Sequence, residues 1–443
     1  MPFTPQMGRL LGRGTAANPL QLIIQDELHL ISDALGTITA LYETAIDYVT
    51  QQSGSKVKIV GSTATIRRAE TQTLKLFNRR SAQFPSPGLH ADDSFFYQSD
   101  MDNPGRLYVG LHAQGRSPKH TLSRLAANCL QATEYTEEKV RDNFHTLVMY
   151  FNSMRELGGS LLLLEDDIPK YMKAMEIDDN VKRRTISKFS ELTSKLTSDE
   201  VPEILEELDV SWPTKSHDSR EPIDAVLATN MISVGVDVSR LGAMIVNGQP
   251  KNTSEYIQAS SRVGRDTGTA GIVFTLYNWT RSRDRSHYEK FHTYHSSFYR
   301  HVESSSVTPF ASRARDRALH SVLISMARLT IPEFESNNSP NKILDPDIKG
   351  KVRALMAIIV DRAGAIEPDE KEITKTDLED ILYDWQETAK LIQDLKWQAQ
   401  HKKDEGNFLI KSREFGSDPW EMQRSVRDVE NQVTVSMYIR DTE

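Results

Sequence analysis

One cysteine, Cys129, stands in 443 residues. A lone thiol closes no internal disulfide and builds no thiolate metal cluster, and such usage suits a reducing cytoplasm. Long apolar runs are missing as well. No stretch approaches the roughly 18 residues a membrane span needs, and mean hydropathy is -0.49, which argues against a membrane role. The opening MPFTPQMGRLLGRG has basic residues but lacks the apolar segment and small-residue cleavage site of an export signal. No internal repeat and no sustained low-complexity tract occurs. A phosphate-binding loop is also absent: there is no G-x-x-x-x-G-K-[ST], and Ser53-Gly54-Ser55-Lys56 and Gly350-Lys351 lack its spacing and its following hydroxyl residue.

What is present fits a folded protein of two or three domains. Apolar residues make up 38% and charged residues 26% of the chain, and 443 residues allow each part its own core. A net charge of -8 argues mildly against a nucleic-acid coat protein. The distribution says more, because Arg281 to Arg328 holds nine Lys or Arg against four acids, while acidity collects in Glu191 to Glu221.

Leu20 to Gln25 is a short apolar run followed at once by acids, as expected of a strand buried on both faces of a parallel sheet. Leu35, Ile38, Leu41, Tyr42, Ala45, Ile46 and Val49 recur at helical spacing, and Val57 to Gly61 begins another strand, so residues 20 to 65 read as a βαβ unit. Asn78 to Pro118 reads as a loop-rich insertion around a strand at Arg106 to His112. Thr121 to Tyr135 reads as a helix. Strands are expected at Thr146 to Asn152, Ala225 to Thr229, Ala243 to Asn247 and Gly271 to Leu276, which make a second parallel sheet. Beyond about residue 300 the pattern turns helical, with Thr376-x-x-Glu379 as a capping box for a long amphipathic helix that runs through Leu395.

Four segments carry chemistry. Asp26-Glu27-Leu28-His29 ends a strand, where one carboxylate can orient Mg²⁺ through water and its neighbour can activate a water for attack on phosphate. The competing reading is an ordinary strand-end acid pair. Gly61-Ser62-Thr63-Ala64-Thr65 follows the next strand, so its hydroxyls can hydrogen-bond the acid motif or form a plain turn. Ala228 to Val238 breaks into a small-residue turn that can approach a phosphodiester, with Asp237 reaching a ribose or a neighbouring motif; the alternative is an ordinary corner. Gln258-Ala259-Ser260-Ser261-Arg262-Val263-Gly264-Arg265 is expected on a helix, where Arg262 and Arg265 share a face and aim at one anion, or else form a solvated basic face. The histidines His287, His292, His295 and His301 offer a weaker metal or nuclease reading without nearby paired acids.

DELH, STAT, ATNMISVGVDV and QASSRVGR resemble motifs II, III, V and VI of superfamily 2 helicases, and TLVMYFNS resembles motif IV, over roughly residues 20 to 280. Motif VI carries Ser261 where the family has glycine. QDELHLIS, FPSPGLHADDSFF, VTPFASRARDRALH and SVRDVE extend the likeness to DrmA-type helicases of the DISARM anti-phage defence system over nearly the whole chain. The resemblance implies an α/β fold of two RecA-like parallel-sheet lobes, the first incomplete: residues 1–115 with motifs II and III, then 116–300 with motifs IV to VI, then a helical region over 301–443.

It implies ATP and Mg²⁺ as cofactors. Asp26 and Glu27 would handle metal and water, with His29, Thr63 and Thr65 coupling them to the neighbouring lobe, and Gly235, Asp237 and Gln258 would belong to the nucleotide side with Arg262 and Arg265. Single-stranded DNA would cross both lobes against Thr229, Asn230, Arg281, Arg283, Arg285, Arg313 and Arg315, unless that basic segment is a solvated face or pairs with the acidic stretch. A truncated gene, a motor split over two polypeptides with a separate N-terminal segment and other defence subunits as partners, and a non-catalytic nucleic-acid-binding or scaffolding half all fit the missing phosphate loop. Without that loop the first sheet is expected to show an open edge or unfilled core, and ATP hydrolysis by this polypeptide alone to be weak or nil.

Overall fold

The computed structural model describes residues 20–52, 56–63, 68–85, 93–98, 102, 105–178, 180–197, 199–213, 220–233, 237–265, 268–304, 306–399, 406–412 and 420–422. The chain divides into two compact units: Met1–Phe84 together with Ser304–Glu443, and Pro85–Glu303. No helix among the described residues is long and apolar enough to cross a membrane.

In the first unit, strand β1 (Leu22–Gln25) and strand β2 (Lys58–Gly61) pair in parallel, with Ile24 opposite Val60 and Gln25 opposite Gly61. Helix α1 (Asp33–Gln51) makes the crossover that parallel strands require. Its Ile38, Leu41, Ala45 and Val49 are buried, at the spacing read from the sequence. Helix α2 (Ala69–Phe77) adds Leu76 and Phe77, which cluster with Leu28 and Ala40 and with the partly buried Ile59. Among the described residues no third strand joins this sheet. The expectation of burial on both faces is corrected accordingly: Ile24 is 70% exposed, on the same face as Leu22 and Val60, because only the Ile59 side is covered by helices of this unit.

The second unit holds a six-stranded, all-parallel sheet. Its strands are β3 (Arg106–His112), β4 (Leu147–Phe151), β5 (Phe189–Leu192), β6 (Ala225–Ala228), β7 (Ala243–Asn247) and β8 (Gly271–Tyr277), in the order β3-β8-β7-β4-β6-β5. Helices α3 (Pro118–Ala132) and α4 (Met154–Leu162) pack Leu122, Ala126 and Leu157 against Leu147, Met149 and Phe151. Helix α5 (Thr253–Ser260) packs Tyr256 and Ala259 against Val148 and Tyr150 on the opposite face. Covering both faces explains why the strands read as unbroken apolar runs. Strand β3 corrects the sequence-based boundary at 115: it pairs along its whole length with β8, so it belongs to this sheet and not to the first region.

The helical region is likewise no separate body. Helix α6 (Ser312–Thr330), helix α7 (Pro346–Ile366) and helix α8 (Lys371–Leu391) return to the first unit, where α6 and α1 share one core. Phe334, Trp385 and Trp397 close its far end, and the two indole N–H groups donate to the carbonyls of Pro340 at 3.1 Å and Phe334 at 3.2 Å. Helix α8 starts five residues before the expected cap. A turn at Pro368–Glu370 launches it, Thr376 sits inside it with its hydroxyl donating to the Glu372 carbonyl at 3.1 Å, and Leu395 lies beyond its end.

A charged seam joins α1 to α7. Arg362 donates to the Leu76 carbonyl at 3.1 Å and lies 3.4 Å from Asp47, which also pairs with Arg79. Burial beside this seam pushes the Glu43 carboxyl up from 4.5 to about 7, against the pull of Arg362. A carboxyl raised in the folded state binds more protons there than in the unfolded chain. Its contribution is therefore complete below about pH 4.5 and is lost as pH rises through about 7. Urea unfolding across that range should show a decline in the wild type that Glu43→Gln flattens; an equal decline in both proteins would count against this account.

Candidate functional site

The acid motif sits where β1 ends. Glu27 adopts a left-handed conformation, φ 49°, which turns the chain sharply off the strand. One Asp26 carboxylate oxygen accepts the Glu27 backbone N–H at 2.8 Å and a short hydrogen bond from the Ser62 hydroxyl. The Ser62 hydroxyl first, and then the Glu27 N–H, holds the Asp26 carboxyl below the usual carboxylate range, so it is ionised at neutral pH. His29 Nδ1 lies 3.1 Å from the Thr63 hydroxyl and 3.5 Å from the Glu27 carboxylate. The strand ends are locked together by Leu28 N–H to Ser62 O and Ser62 N–H to Gln25 O, both at 2.9 Å.

The structure thus brings Asp26, Glu27, His29 and Thr63 together at one carboxyl edge. Thr65 lies outside the described residues. Of the hydroxyl segment read from the sequence, Ser62, which was not singled out there as a site residue, is the one that bonds Asp26. An ionised, solvent-exposed carboxylate suits Mg²⁺, which keeps much of its water and takes one or two protein carboxylates plus substrate phosphates.

In the second unit the expectation for Arg262 and Arg265 needs correction. Helix α5 ends at Ser260, and both arginines lie in the turn that follows, not on a helical face. Gly264 is the cause: its φ is +65°, and a Cβ there would lie 2.6 Å from Gly271 Cα, so the chain swings close to the start of β8. Gly264 N–H donates to the Leu241 carbonyl at 2.7 Å, and Arg106 Nε donates to the Val263 carbonyl at 2.6 Å. These contacts place the turn at the amino ends of β7, β8 and β3. Arg262 donates to the Ser233 carbonyl, and Arg265 pairs with Asp237 at 2.5 Å.

The other site candidates divide. Gln258 is buried, at 7% exposure. Gly235 lies outside the described residues. Thr229 follows β6 with its hydroxyl buried and without a partner among the described residues, and Asn230 beside it is exposed. Arg281 pairs with Glu156 at 2.5 Å, Arg283 is half-buried beside Asp284, and Arg285 is exposed. Arg313 is exposed but belongs to the first unit. Arg315 is withdrawn as a nucleic-acid contact: its side chain is buried, pairs with Asp377 at 2.6 Å and with Glu370, and donates to the Phe310 carbonyl. The histidines pack among aromatic rings, and His295 spends its two nitrogens on the Phe291 carbonyl at 2.8 Å and the Tyr256 hydroxyl at 3.2 Å.

Residues 165–267 match the helicase conserved C-terminal domain. The DISARM protein DrmA of Bacillus paralicheniformis is 45% identical over 380 residues, which is 83% of this chain and 33% of that protein. The chain carries a helicase C-terminal domain and is similar to DrmA over most of its own length. It spans about a third of the length of the curated relative it matches. Among solved structures it is similar to the DUF1998 helicase MrfA bound to DNA and AMPPNP, with 17% identity, a TM-score of 0.49, and coverage of 70% of this chain and 37% of that one. It is similar also to Mycobacterium smegmatis helicase Lhr bound to ssDNA and AMP-PNP, with 14% identity, a TM-score of 0.47, and coverage of 70% and 34%.

The Asp26 to His29 segment is thus bonded to the hydroxyl segment after β2 through Ser62 and Thr63, and the Arg262 to Arg265 turn is bonded to the segment after β6 through Ser233 and Asp237. Ser62→Ala should let the Asp26 carboxyl climb back toward its ordinary value, since its largest stabilising bond is gone. A carboxyl carbon NMR titration of both proteins reads this directly, and coincident curves would remove Ser62 from the motif.

Proposed function

We propose that this chain is the acid-motif and arginine-finger portion of an ATP-dependent superfamily 2 DNA helicase or translocase, acting in anti-phage defence. The observation that carries the reading is the Asp26 carboxylate, kept ionised at a parallel-strand end by Ser62 and wired through Glu27 and His29 to Thr63. Asp26 would hold Mg²⁺ through its waters, and the ion would neutralise charge on the β- and γ-phosphates. Glu27 orients and deprotonates the attacking water, while the hydroxyls of Ser62 and Thr63 report the state of that pair.

Arg265 would supply positive charge to the transferring phosphoryl group. Its bond to Asp237 does not forbid this, because Asp237 is 80% exposed and an exposed pair is held by only about 0–1 kcal/mol. A nucleotide phosphate competes readily with so weak a partner. Arg262, tied to the Ser233 backbone, positions that turn.

The sequence holds no phosphate loop, so the β- and γ-phosphates lack their cradle and this polypeptide alone hydrolyses ATP weakly or not at all. The apolar face formed by Leu22, Ile24 and Val60 supports a first lobe that is completed by further strands and helices. The same missing loop favours a second reading, in which the chain is a non-catalytic nucleic-acid-binding or scaffolding subunit.

Adding a polypeptide that carries a G-x-x-x-x-G-K-[ST] lobe should restore DNA-stimulated ATPase activity. Arg265→Ala should then cut turnover by about 10³-fold or more, the scale measured for arginine fingers, and Glu27→Gln should abolish it while ATP still binds. Salt-sensitive strand binding that ignores both ATP and Glu27→Gln would favour the scaffold.

A further inference from the structure

A pocket of about 150 Å³ opens in the second unit outside the carboxyl ends of β7 and β8, between the first turns of α3 and α4. Ligands of parallel α/β sheets sit in such crevices. The volume is several times the roughly 30 Å³ that one water occupies in the liquid, so it takes a ring and not merely an ion. None of the helicase motifs supplies its distinguishing residues. Trp279, just past β8, forms one wall and is 40% exposed, and its indole N–H donates to the Arg116 carbonyl at 3.3 Å, which steadies the ring.

The charge at the rim is uneven. Glu156 is matched by Arg281 at 2.5 Å. Arg116 and Lys119, both lining the pocket and both exposed, have no ion-pair partner among the described residues. A steadied aromatic face flanked by two uncompensated cations is the donor set for a planar base joined to a phosphate. A large apolar ligand would leave the cations idle, and a bare anion would leave the ring idle.

We propose that this pocket receives one unstacked nucleotide of a single strand, with its base on Trp279 and its phosphate on Arg116 and Lys119. The inference deepens the nucleic-acid reading above and rests on it. Base stacking on a protein ring is tolerant of sequence, so the subsite grips any base and acts as a holding point for the strand.

The test is fluorescence anisotropy of the full chain with labelled oligothymidine over a salt series. Trp279→Leu, which keeps an apolar side chain but removes the π-face, should weaken binding about tenfold, while Trp279→Phe should stay within about threefold of wild type. Arg116→Ala and Lys119→Ala should each lower the salt slope by about one. Wild-type binding that survives in Trp279→Leu, or a leucine variant as tight as the phenylalanine one, would overturn the subsite and leave the nucleic-acid reading standing. Free thymidine monophosphate that displaces the strand at equal nucleotide concentration would reassign the pocket to free nucleotides. No binding of any strand by the wild type would overturn both.

Discussion

Parallel strands covered by helices on both faces leave polar chemistry little room except at the strand ends, and that constraint governs the second unit. Leu147 to Phe151 and Ala225 to Ala228 are wholly buried, so along their lengths β4 and β6 contribute mainly apolar contact, with the Tyr150 hydroxyl, which donates to Glu255, as the polar exception. Several functional candidates accordingly appear within a few residues of a strand terminus. In the first unit Asp26 and Ser62 follow β1 and β2 directly. In the second, Thr229 follows β6 and Trp279 follows β8. The buried sheet thus serves as a rigid ruler that sets where hydroxyls, carboxylates and guanidinium groups meet.

How much of this was legible depended on how local the determining contact was. The parallel pairing of β1 with β2 and the adjacency of their end residues followed from apolar runs and the spacing of one helix. Once the pairing holds, the contact between the acid and hydroxyl motifs is geometrically forced. The helical placement of Arg262 and Arg265 failed because it turned on Gly264, whose positive φ is demanded by a close approach to Gly271, a neighbour that spacing alone does not reveal. Strand β3 was assigned to the wrong region because its whole ladder is made with β8, far along the chain. Arg315 looked like its basic neighbours in composition, yet Glu370 and Asp377, supplied by the segment that opens α8, draw it inside.

The arginines show how burial sorts residues of one type into different tasks. A buried guanidinium with two carboxylates, as at Arg315, is committed to structure, since removing one partner from such a group costs about 3–5 kcal/mol. An exposed pair such as Arg265 with Asp237 is worth about 1 kcal/mol at most and exchanges with any better anion. Cations such as Arg116 and Lys119, with no ion-pair partner among the described residues, have none there to surrender and respond to ligand charge without that exchange cost. Counting basic residues along the segment from Arg281 to Arg328 conceals these differences, because composition carries no information about what faces each charge.

The two ends of the second sheet are occupied by different chemistry. Arg262 and Arg265 stand at the amino ends of the strands, whereas Thr229, Asn230 and the Trp279 pocket stand at the carboxyl ends. A strand of five residues separates these edges by roughly 17 Å at about 3.4 Å per residue, too far for direct contact between side chains. The segment after β6 is the covalent route between them: it leaves the carboxyl edge at Thr229 and presents Ser233 and then Asp237 to the arginines. Arg262 and Arg265 thus contact two residues, Ser233 and Asp237, of the segment that begins at Thr229 and Asn230.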